Sequence, residues 1–241
     1  SALCKKIQEN PEGSLDLFTM IDKITFDQKG SMIVGYDLKG KPYPRYYQGG
    51  RLPKSYSRYL GKVDLIAALE RSSNPYFSLL SKNYLDHPRD LLYAMKTFGL
   101  GEKTGLDVPG EIAGSLPTDL DRNVTGLYSC SIGQHTLAVT PIQIACMMGA
   151  FATKELLEPH IVQQVGSQKI KKRLRHELYL PDRLQKRLFT GLEKVLTGEK
   201  GTARLSAVKA CRRDKTLRNT YKKLSSHIVG KTSTAQITRK L

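Results

Sequence analysis

The sequence lacks the residue spacing of a metal site. Its four cysteines form no C-x-x-C pair and no other zinc-binding pattern; they are Cys4, Cys130, Cys146 and Cys211. The five histidines also have no mutual spacing typical of metal ligands; they are His87, His135, His160, His176 and His227. We therefore expect no metal and no cofactor, inert cysteines, and histidines at surface or capping positions.

Long apolar runs are also missing. No stretch approaches the length of a membrane span. A signal peptide is not visible, because Ala2-Leu3-Cys4 is followed by Lys5-Lys6 rather than by an apolar segment. Since the chain begins at Ser1 rather than at Met, we expect a fragment or a processed product, and the missing anchor is uninformative.

Acidic residues are scarce relative to basic ones, and the formal net charge of the 241 residues is +17. The basic residues concentrate in two runs, residues 169–175 and 204–223. Such an excess favours either a solvated surface or attraction to nucleic acid, acidic lipid or a wall polymer. Only Tyr179 and Tyr221 lie near these runs, so the stacking residues of a single-strand binder are not evident. We expect a solvated surface and no nucleic-acid partner.

The apolar fraction, 39%, is adequate for a folded core. Apolar periodicity and end signals predict helices over residues 1–9, 63–71, 75–81, 87–98, 144–151 and 182–196. Asn74 is predicted to cap the third of these, with Pro75 at its first position. Thr140-Pro141-Ile142-Gln143 fits a capping box. The segment that follows, Ile144 to Phe151, is nearly all apolar, which predicts a buried central helix. Strands are predicted at 32–34, at 161–165 and from 227 through Lys231, and a basic loop over 199–223.

Two short motifs, far apart in the chain, carry most of the chemical information. Ser72-Ser73-Asn74 falls on a predicted turn between helices, where Ser and Asn are also ordinary capping residues. Lys231-Thr232-Ser233-Thr234-Ala235 falls on a predicted strand. These motifs correspond to S-x-N and, with Ser233 in place of Gly, to K-T-G, the second and third of three signature elements of serine-type penicillin-recognising enzymes.

The surrounding sequence resembles the transpeptidase domain of class B-like penicillin-binding proteins. The matching segments follow one another in the family's order; they are residues 65–77, 98–111, 132–134, 139–143, 201–203 and 230–235. The resemblance implies an α/β, β-lactamase-like fold, in which an antiparallel sheet is flanked by helices. We interpret residues 1–241 as a single partial transpeptidase domain, incomplete at both ends.

The resemblance also implies a D-alanyl-D-alanine transpeptidase that cross-links peptidoglycan stem peptides through an acyl-serine and is acylated by β-lactams. By position, Ser72 would relay a proton to the leaving amine, and Asn74 would bind the substrate amide. Lys231 would place positive charge beside Ser72. Thr232 and Thr234 would bind the substrate carboxylate, and the N–H of Thr234 would donate to an oxyanion hole. The implied setting is a wall-synthesis complex at the bacterial inner membrane, with the catalytic domain periplasmic or extracytoplasmic.

The first signature element, S-x-x-K with the nucleophilic serine, has no usable match before Ser72. Ser206-Ala207-Val208-Lys209 has the spacing but comes too late in the chain, and Lys103-Thr104-Gly105 spells the third motif too early, in a Gly-rich loop. We therefore expect this chain, taken alone, to be marginally stable and inactive.

Ser233 departs from the family pattern, which usually has Gly at that position. Gly lets a substrate backbone lie close along a strand, so Ser predicts a narrowed groove. Two other functions stay open at this point: a sensor domain that binds β-lactam or muropeptide without turnover, and a basic protein that binds nucleic acid or anionic lipid with strong salt dependence.

Overall fold

The computed structural model of the chain describes residues 46–55 and 64–233. The predicted helix over residues 1–9 and the predicted strand at 32–34 lie outside these residues. The described residues form eight α-helices: α1 Leu65–Glu70, α2 Asn74–Tyr84, α3 Arg89–Thr97, α4 Val124–Cys130, α5 Pro141–Thr153, α6 Asp182–Thr197, α7 Thr202–Ala210 and α8 Lys215–Ser225. A 3-10 turn, Cys211–Arg213, joins α7 to α8.

The strands of the described residues are short and pair in twos. They are β1 Tyr46–Tyr47, β2 Gly50–Arg51, β3 Glu155–Leu157, β4 Gln164–Val165, β5 Gln168–Lys169 and β6 Leu174–Glu177. All three pairs, β1 with β2, β3 with β6, and β4 with β5, are antiparallel. The antiparallel pairing agrees with the expected α/β architecture, although helices dominate this part of the chain.

The largest hydrophobic cluster joins α1, α2 and α6. Leu65 and Leu69 of α1, Leu79 of α2 and Leu184 of α6 are buried together in it. Helix α6 approaches α1 closely at Gly191, where an added Cβ would lie 2.5 Å from Leu69 Cδ1. This packing holds α1 against α6, and α2 packs on α4 and shares the same hydrophobic cluster.

Helix α6 is the amphipathic helix that the sequence predicts. Leu184, Leu192, Val195 and Leu196 are buried along one face, and Gly198 ends the helix. The capping box of α5 is confirmed as well, because the Thr140 hydroxyl and the Gln143 side chain each accept a backbone N–H of the other residue. The capping box and the one-sided periodicity were therefore reliable signals for these two helices.

The prediction that α5 is a buried central helix is wrong for the described residues. Gln143 and Ala150 are its buried residues, whereas Ile144 and Met148 are exposed. The buried Gln143 amide donates to the carbonyls of Glu102 and Ala113, which holds the start of the helix. An apolar composition on every side has no periodicity, so the sequence could not show that the helix packs by one face.

The predicted loop over residues 199–223 is also wrong, because α7 and α8 occupy it. The Asp214 side chain accepts the backbone N–H of Leu217 and so caps α8. The Tyr221 hydroxyl donates to the Leu196 carbonyl and ties α8 to α6. The Lys and Arg residues hide the apolar period of α8, which explains the missed helices.

Two strand predictions need correction. The backbone N–H groups of Ile161 and Val162 donate to the Asp107 carboxylate instead of to a strand, and pairing begins at Gln164. Residues 227–233 form no strand within the described part of the chain. Ile161 and Val162 in the first segment, and Ile228 and Val229 in the second, have the propensity of a strand, but no strand of the described residues pairs with them.

Candidate active site

The S-x-N motif lies on the tight turn between α1 and α2. Ser73, rather than Asn74 as predicted, is the N-cap of α2: its buried hydroxyl accepts the backbone N–H of Tyr76. Ser72 has a φ of 53°, in the left-handed region that residues other than Gly seldom adopt. Its N–H donates to the Leu69 carbonyl, and the N–H of Ser73 donates to that of Ala68. The turn is therefore held by the end of α1, and the Ser72 side chain is free to point away from it.

Asn74 is fixed by the segment that follows β2. Its backbone N–H donates to the Ser55 hydroxyl at 3.0 Å, and its side-chain Nδ2 donates to the Lys54 carbonyl at 2.7 Å. With one Nδ2 hydrogen engaged, Oδ1 and the second Nδ2 hydrogen remain to bind a ligand. The roles of Lys54 and Ser55 could not be predicted from the sequence, because backbone and hydroxyl acceptors in a loop have no recognisable pattern.

Lys231 meets Ser72 across a sequence separation of 159 residues. Its Nζ donates to Ser72 Oγ at 2.7 Å and to the carbonyl of Thr232 at 2.9 Å. Burial of the ammonium group lowers the pKa of Lys231 from its usual value. The two motifs therefore form one polar cluster, in which a serine hydroxyl is in direct contact with a cation of reduced basicity.

The Lys231 segment rests on the carboxyl-terminal half of α6 and on the start of α7. The N–H of Gly230 donates to the Leu192 carbonyl at 3.5 Å. The hydroxyl oxygens of Thr232 and Thr202 lie 2.6 Å apart, and Thr202 is the first residue of α7. Because α6 also packs on α1, the same helix supports both halves of the cluster.

Comparisons with known proteins identify the family of the chain. The profile of the family described as "Penicillin binding protein transpeptidase domain" matches residues 39–240. The chain belongs to this family. Penicillin-binding protein H of Bacillus subtilis (strain 168) is 30% identical over 159 residues, which cover 57% of this chain and 22% of that protein.

Solved structures of penicillin-binding proteins share the fold. The structure of Pseudomonas aeruginosa PBP2 in complex with WCK 5153 matches with a TM-score of 0.58 and 27% identity, over 77% of this chain and 44% of that one. A peptidoglycan synthase complex, described as coordinating polymerization and crosslinking, matches with a TM-score of 0.55 and 25% identity, over 78% of this chain and 33% of that one. The chain thus spans less than half the length of these relatives.

The remaining substrate-binding residues of the predicted transpeptidase site are only partly described. Thr234 lies outside the described residues. Ser233 is exposed, and Thr232 is half-buried against Thr202. Thr202 lies in one of the segments that match the family, Gly201-Thr202-Ala203, but the sequence alone indicates no role for it. The family match at residues 201–203 could therefore have pointed to Thr202, and its hydrogen bond with Thr232 shows what it does.

Two other segments, residues 103–105 and 206–209, match signature motifs at the wrong place in the chain. In the early Lys103-Thr104-Gly105 motif, Thr104 is buried, and its backbone N–H and hydroxyl both donate to the carboxylate of Glu111. These hydrogen bonds contribute to lowering the pKa of Glu111 against the opposing effect of burial. Ser206 and Lys209 of the late motif are both exposed on α7. Neither segment contributes to the cluster of Ser72 and Lys231.

The histidines of the transpeptidase domain make local contacts. His135 Nε2 lies 2.7 Å from Asp119 Oδ1, and Asp119 Oδ2 accepts the side-chain N–H of Asn123. These contacts lower the pKa of Asp119, with the hydrogen bond from His135 as the largest cause. Within residues 46–55 and 64–233, no group of three His, Cys, Asp or Glu residues is placed to hold a metal ion. None of the helices described is both long enough and apolar enough to span a membrane.

Proposed function

We propose that this chain forms part of the catalytic cleft of a serine-type D-Ala-D-Ala transpeptidase that cross-links peptidoglycan stem peptides and binds β-lactams. The observation that carries the proposal is the 2.7 Å hydrogen bond from Lys231 Nζ to Ser72 Oγ, which joins two signature motifs. The family match and the similarity to a peptidoglycan synthase complex support the same reaction class.

In the proposed reaction, a serine of an S-x-x-K motif attacks the carbonyl between two D-alanines. A C–O ester bond forms and the C–N bond breaks, and the proton of the attacking hydroxyl reaches the departing amine through Ser72. An amine from a neighbouring stem peptide then attacks the ester, which restores the serine and completes the cross-link. Lys231 keeps the Ser72 hydroxyl oriented and adds positive charge where the leaving group develops.

The other site residues hold the substrate in this proposal. Asn74, oriented by the bond from Nδ2 to the Lys54 carbonyl, binds the substrate amide, with Oδ1 accepting its N–H. Thr232 and Thr234 bind the carboxylate of the terminal D-alanine through their hydroxyls, and the N–H of Thr234 supplies one donor of the oxyanion hole. The substrate lies outside the cytoplasmic membrane, so we place the domain in the periplasmic or extracytoplasmic space, in a wall-synthesis complex at the inner membrane.

Labelling with a fluorescent penicillin tests the proposal. Since no usable S-x-x-K motif precedes Ser72, the 241-residue chain should stay unlabelled, whereas the complete product of its gene should be labelled stoichiometrically. Intact-mass measurement would locate the adduct. Stoichiometric labelling of the 241-residue chain would refute the predicted inactivity. An unlabelled complete product with an intact S-x-x-K motif would refute the assigned function.

Ser233 offers a test of groove width. We expect Ser233→Gly in the complete gene product to speed acylation by penicillin severalfold, because Gly removes the side chain along which a substrate backbone must lie. Stopped-flow acylation rates measure the change. Ser226→Gly, another exposed serine, is the control and should leave the rate unaltered. An unchanged or slower rate for Ser233→Gly would count against a narrowed groove.

A further inference from the structure

Helices α7 and α8 and the 3-10 turn between them form a folded basic element, residues 202–225, called here the cationic hairpin. Cys211 is buried at its bend, and Arg218 Nη2 donates to the carbonyls of Cys211 and Arg212. The Tyr221 hydroxyl donates to the Leu196 carbonyl of α6 at 2.7 Å. The hairpin therefore presents its surface in a fixed arrangement.

The charge of the cationic hairpin is not neutralised within the described residues. It contains eight Lys or Arg residues and a single acidic residue, Asp214, whose carboxylate caps α8. By contrast, three cations of the other basic run, residues 169–175, have acidic partners: Lys172 pairs with Glu155, Arg173 with Glu158, and Arg175 with Glu102. The positive potential of the hairpin is thus available to an external anion.

Apolar side chains stand exposed among these cations. Leu205 and Val208, one turn apart on α7, are 51% and 57% exposed, and Leu217 and Leu224, two turns apart on α8, are 48% and 52% exposed. A soluble polyanion gains little from such residues, whereas the interface of a bilayer buries them. The hairpin's aromatic residue, Tyr221, has its hydroxyl bound to α6, which does not suit base stacking.

We propose that the cationic hairpin is a docking surface for a membrane rich in anionic phospholipid. Exposed lysines and arginines attract the headgroups, and leucine and valine side chains enter the headgroup and acyl-chain boundary. The hairpin adjoins the candidate site through Thr202, so docking would hold that site close to the membrane surface. The inference does not depend on the proposed transpeptidase activity.

Sedimentation of the 241-residue chain with vesicles tests the docking surface at roughly physiological salt. Vesicles of phosphatidylglycerol mixed with phosphatidylcholine should carry the chain down, and vesicles of phosphatidylcholine alone should not. Arg212→Gln combined with Arg213→Gln should lower the partition coefficient about 30-fold, since each cation near such a surface contributes about 1 kcal/mol. The matched control, Lys169→Gln with Lys171→Gln, removes the same charge elsewhere and should change it by less than about threefold.

A second pair of variants tests the apolar contribution. Leu205→Ser with Val208→Ser should lower partitioning about tenfold, whereas Ile161→Ser with Val165→Ser, which are also exposed, should have little effect. If both charge variants lowered the partition coefficient equally, net charge alone would explain the binding, and the proposal would be overturned. The proposal would also be overturned if the Leu205 and Val208 changes left vesicle binding unaltered and the chain bound double-stranded DNA equally tightly. Circular dichroism on each variant verifies that the chain remains folded.

Discussion

The two halves of the candidate site are built in different ways. Ser72 and Asn74 lie at the junction of α1 and α2, whose side chains Leu69 and Leu79 belong to the largest hydrophobic cluster. The Lys231 half is held mainly by hydrogen bonds, to Ser72 and, through Gly230, to Leu192 of α6. One half of the site is therefore positioned by the core, and the other by a few polar contacts.

Because of this difference, the Ser72 half of the site is held rigidly, whereas the Lys231 half can adjust its position. A turn fixed by buried helices keeps Ser72 in its left-handed conformation, at a cost of about 1–3 kcal/mol that the surrounding packing offsets. An exposed segment held by hydrogen bonds can shift when a ligand carboxylate arrives. Helix α6 is the common support, because it packs on α1 at Gly191 and accepts the Gly230 N–H at Leu192.

The largest expected effect concerns the core beneath Ser72. Leu79→Ala should lower the free energy of unfolding of the 241-residue chain by about 3 kcal/mol, because Leu79 is fully buried and leaves a cavity. Leu224→Ala, on exposed α8, should cost less than about 0.5 kcal/mol. Urea unfolding measures both changes. Equal losses would contradict the view that the core beneath Ser72 contributes more to stability than the exposed face of α8.

The next effect concerns the join between α6 and α7. An added Cβ at Gly201 would lie 2.4 Å from the Lys194 carbonyl oxygen and 2.5 Å from that of Val195, so the backbone must move. We expect Gly201→Ala to cost about 1–3 kcal/mol of unfolding free energy. Gly149→Ala, where the added Cβ meets open space inside α5, should instead stabilise the chain by about 0.5–1 kcal/mol. A neutral Gly201→Ala would contradict this view of how Thr202 is placed.

The smallest effect is a pH dependence at Lys231. Burial lowers the pKa of Lys231, so the folded chain releases the proton of this ammonium group at a lower pH than the unfolded chain does. Lysines in an unfolded chain have a pKa of about 10.4. Between the two pKa values the unfolded state binds more protons, so stability rises with pH in that window. The free energy of unfolding of the wild type, minus that of Lys231→Met, should therefore increase as pH approaches 10. A difference that falls with pH would contradict a desolvated ammonium.

The sequence predicted the parts of the molecule that are specified locally. The α5 capping box and the amphipathic face of α6 were recognisable because caps and periodicity are properties of neighbouring residues. The pairing of Ser72 with Lys231 was expected only through the family resemblance, since nothing in the residues themselves relates positions 159 apart. Long-range contacts have no local signature, so the pairing was predicted from the order of the family's motifs instead.

The errors have the same physical origin. Assigning the N-cap of α2 to Asn74 rather than Ser73 was a choice between adjacent residues that both cap well. The exposed face of α5 and the helices of the basic run depend on which surfaces meet, which composition alone does not determine. Thr202, Lys54 and Ser55 act through hydroxyl and backbone atoms that any sequence offers in abundance.

A double-mutant cycle between Ser72 and Lys231 tests the central claim most directly. Acylation by a fluorescent penicillin would be measured in the complete gene product for Ser72→Ala, Lys231→Met and the double variant. If the two residues work as one proton-handling pair, each single change lowers the acylation rate at least about 100-fold, and the double variant is little slower than the slower single one. Rate losses that multiply would show that Ser72 and Lys231 act independently and would contradict the proposed pair.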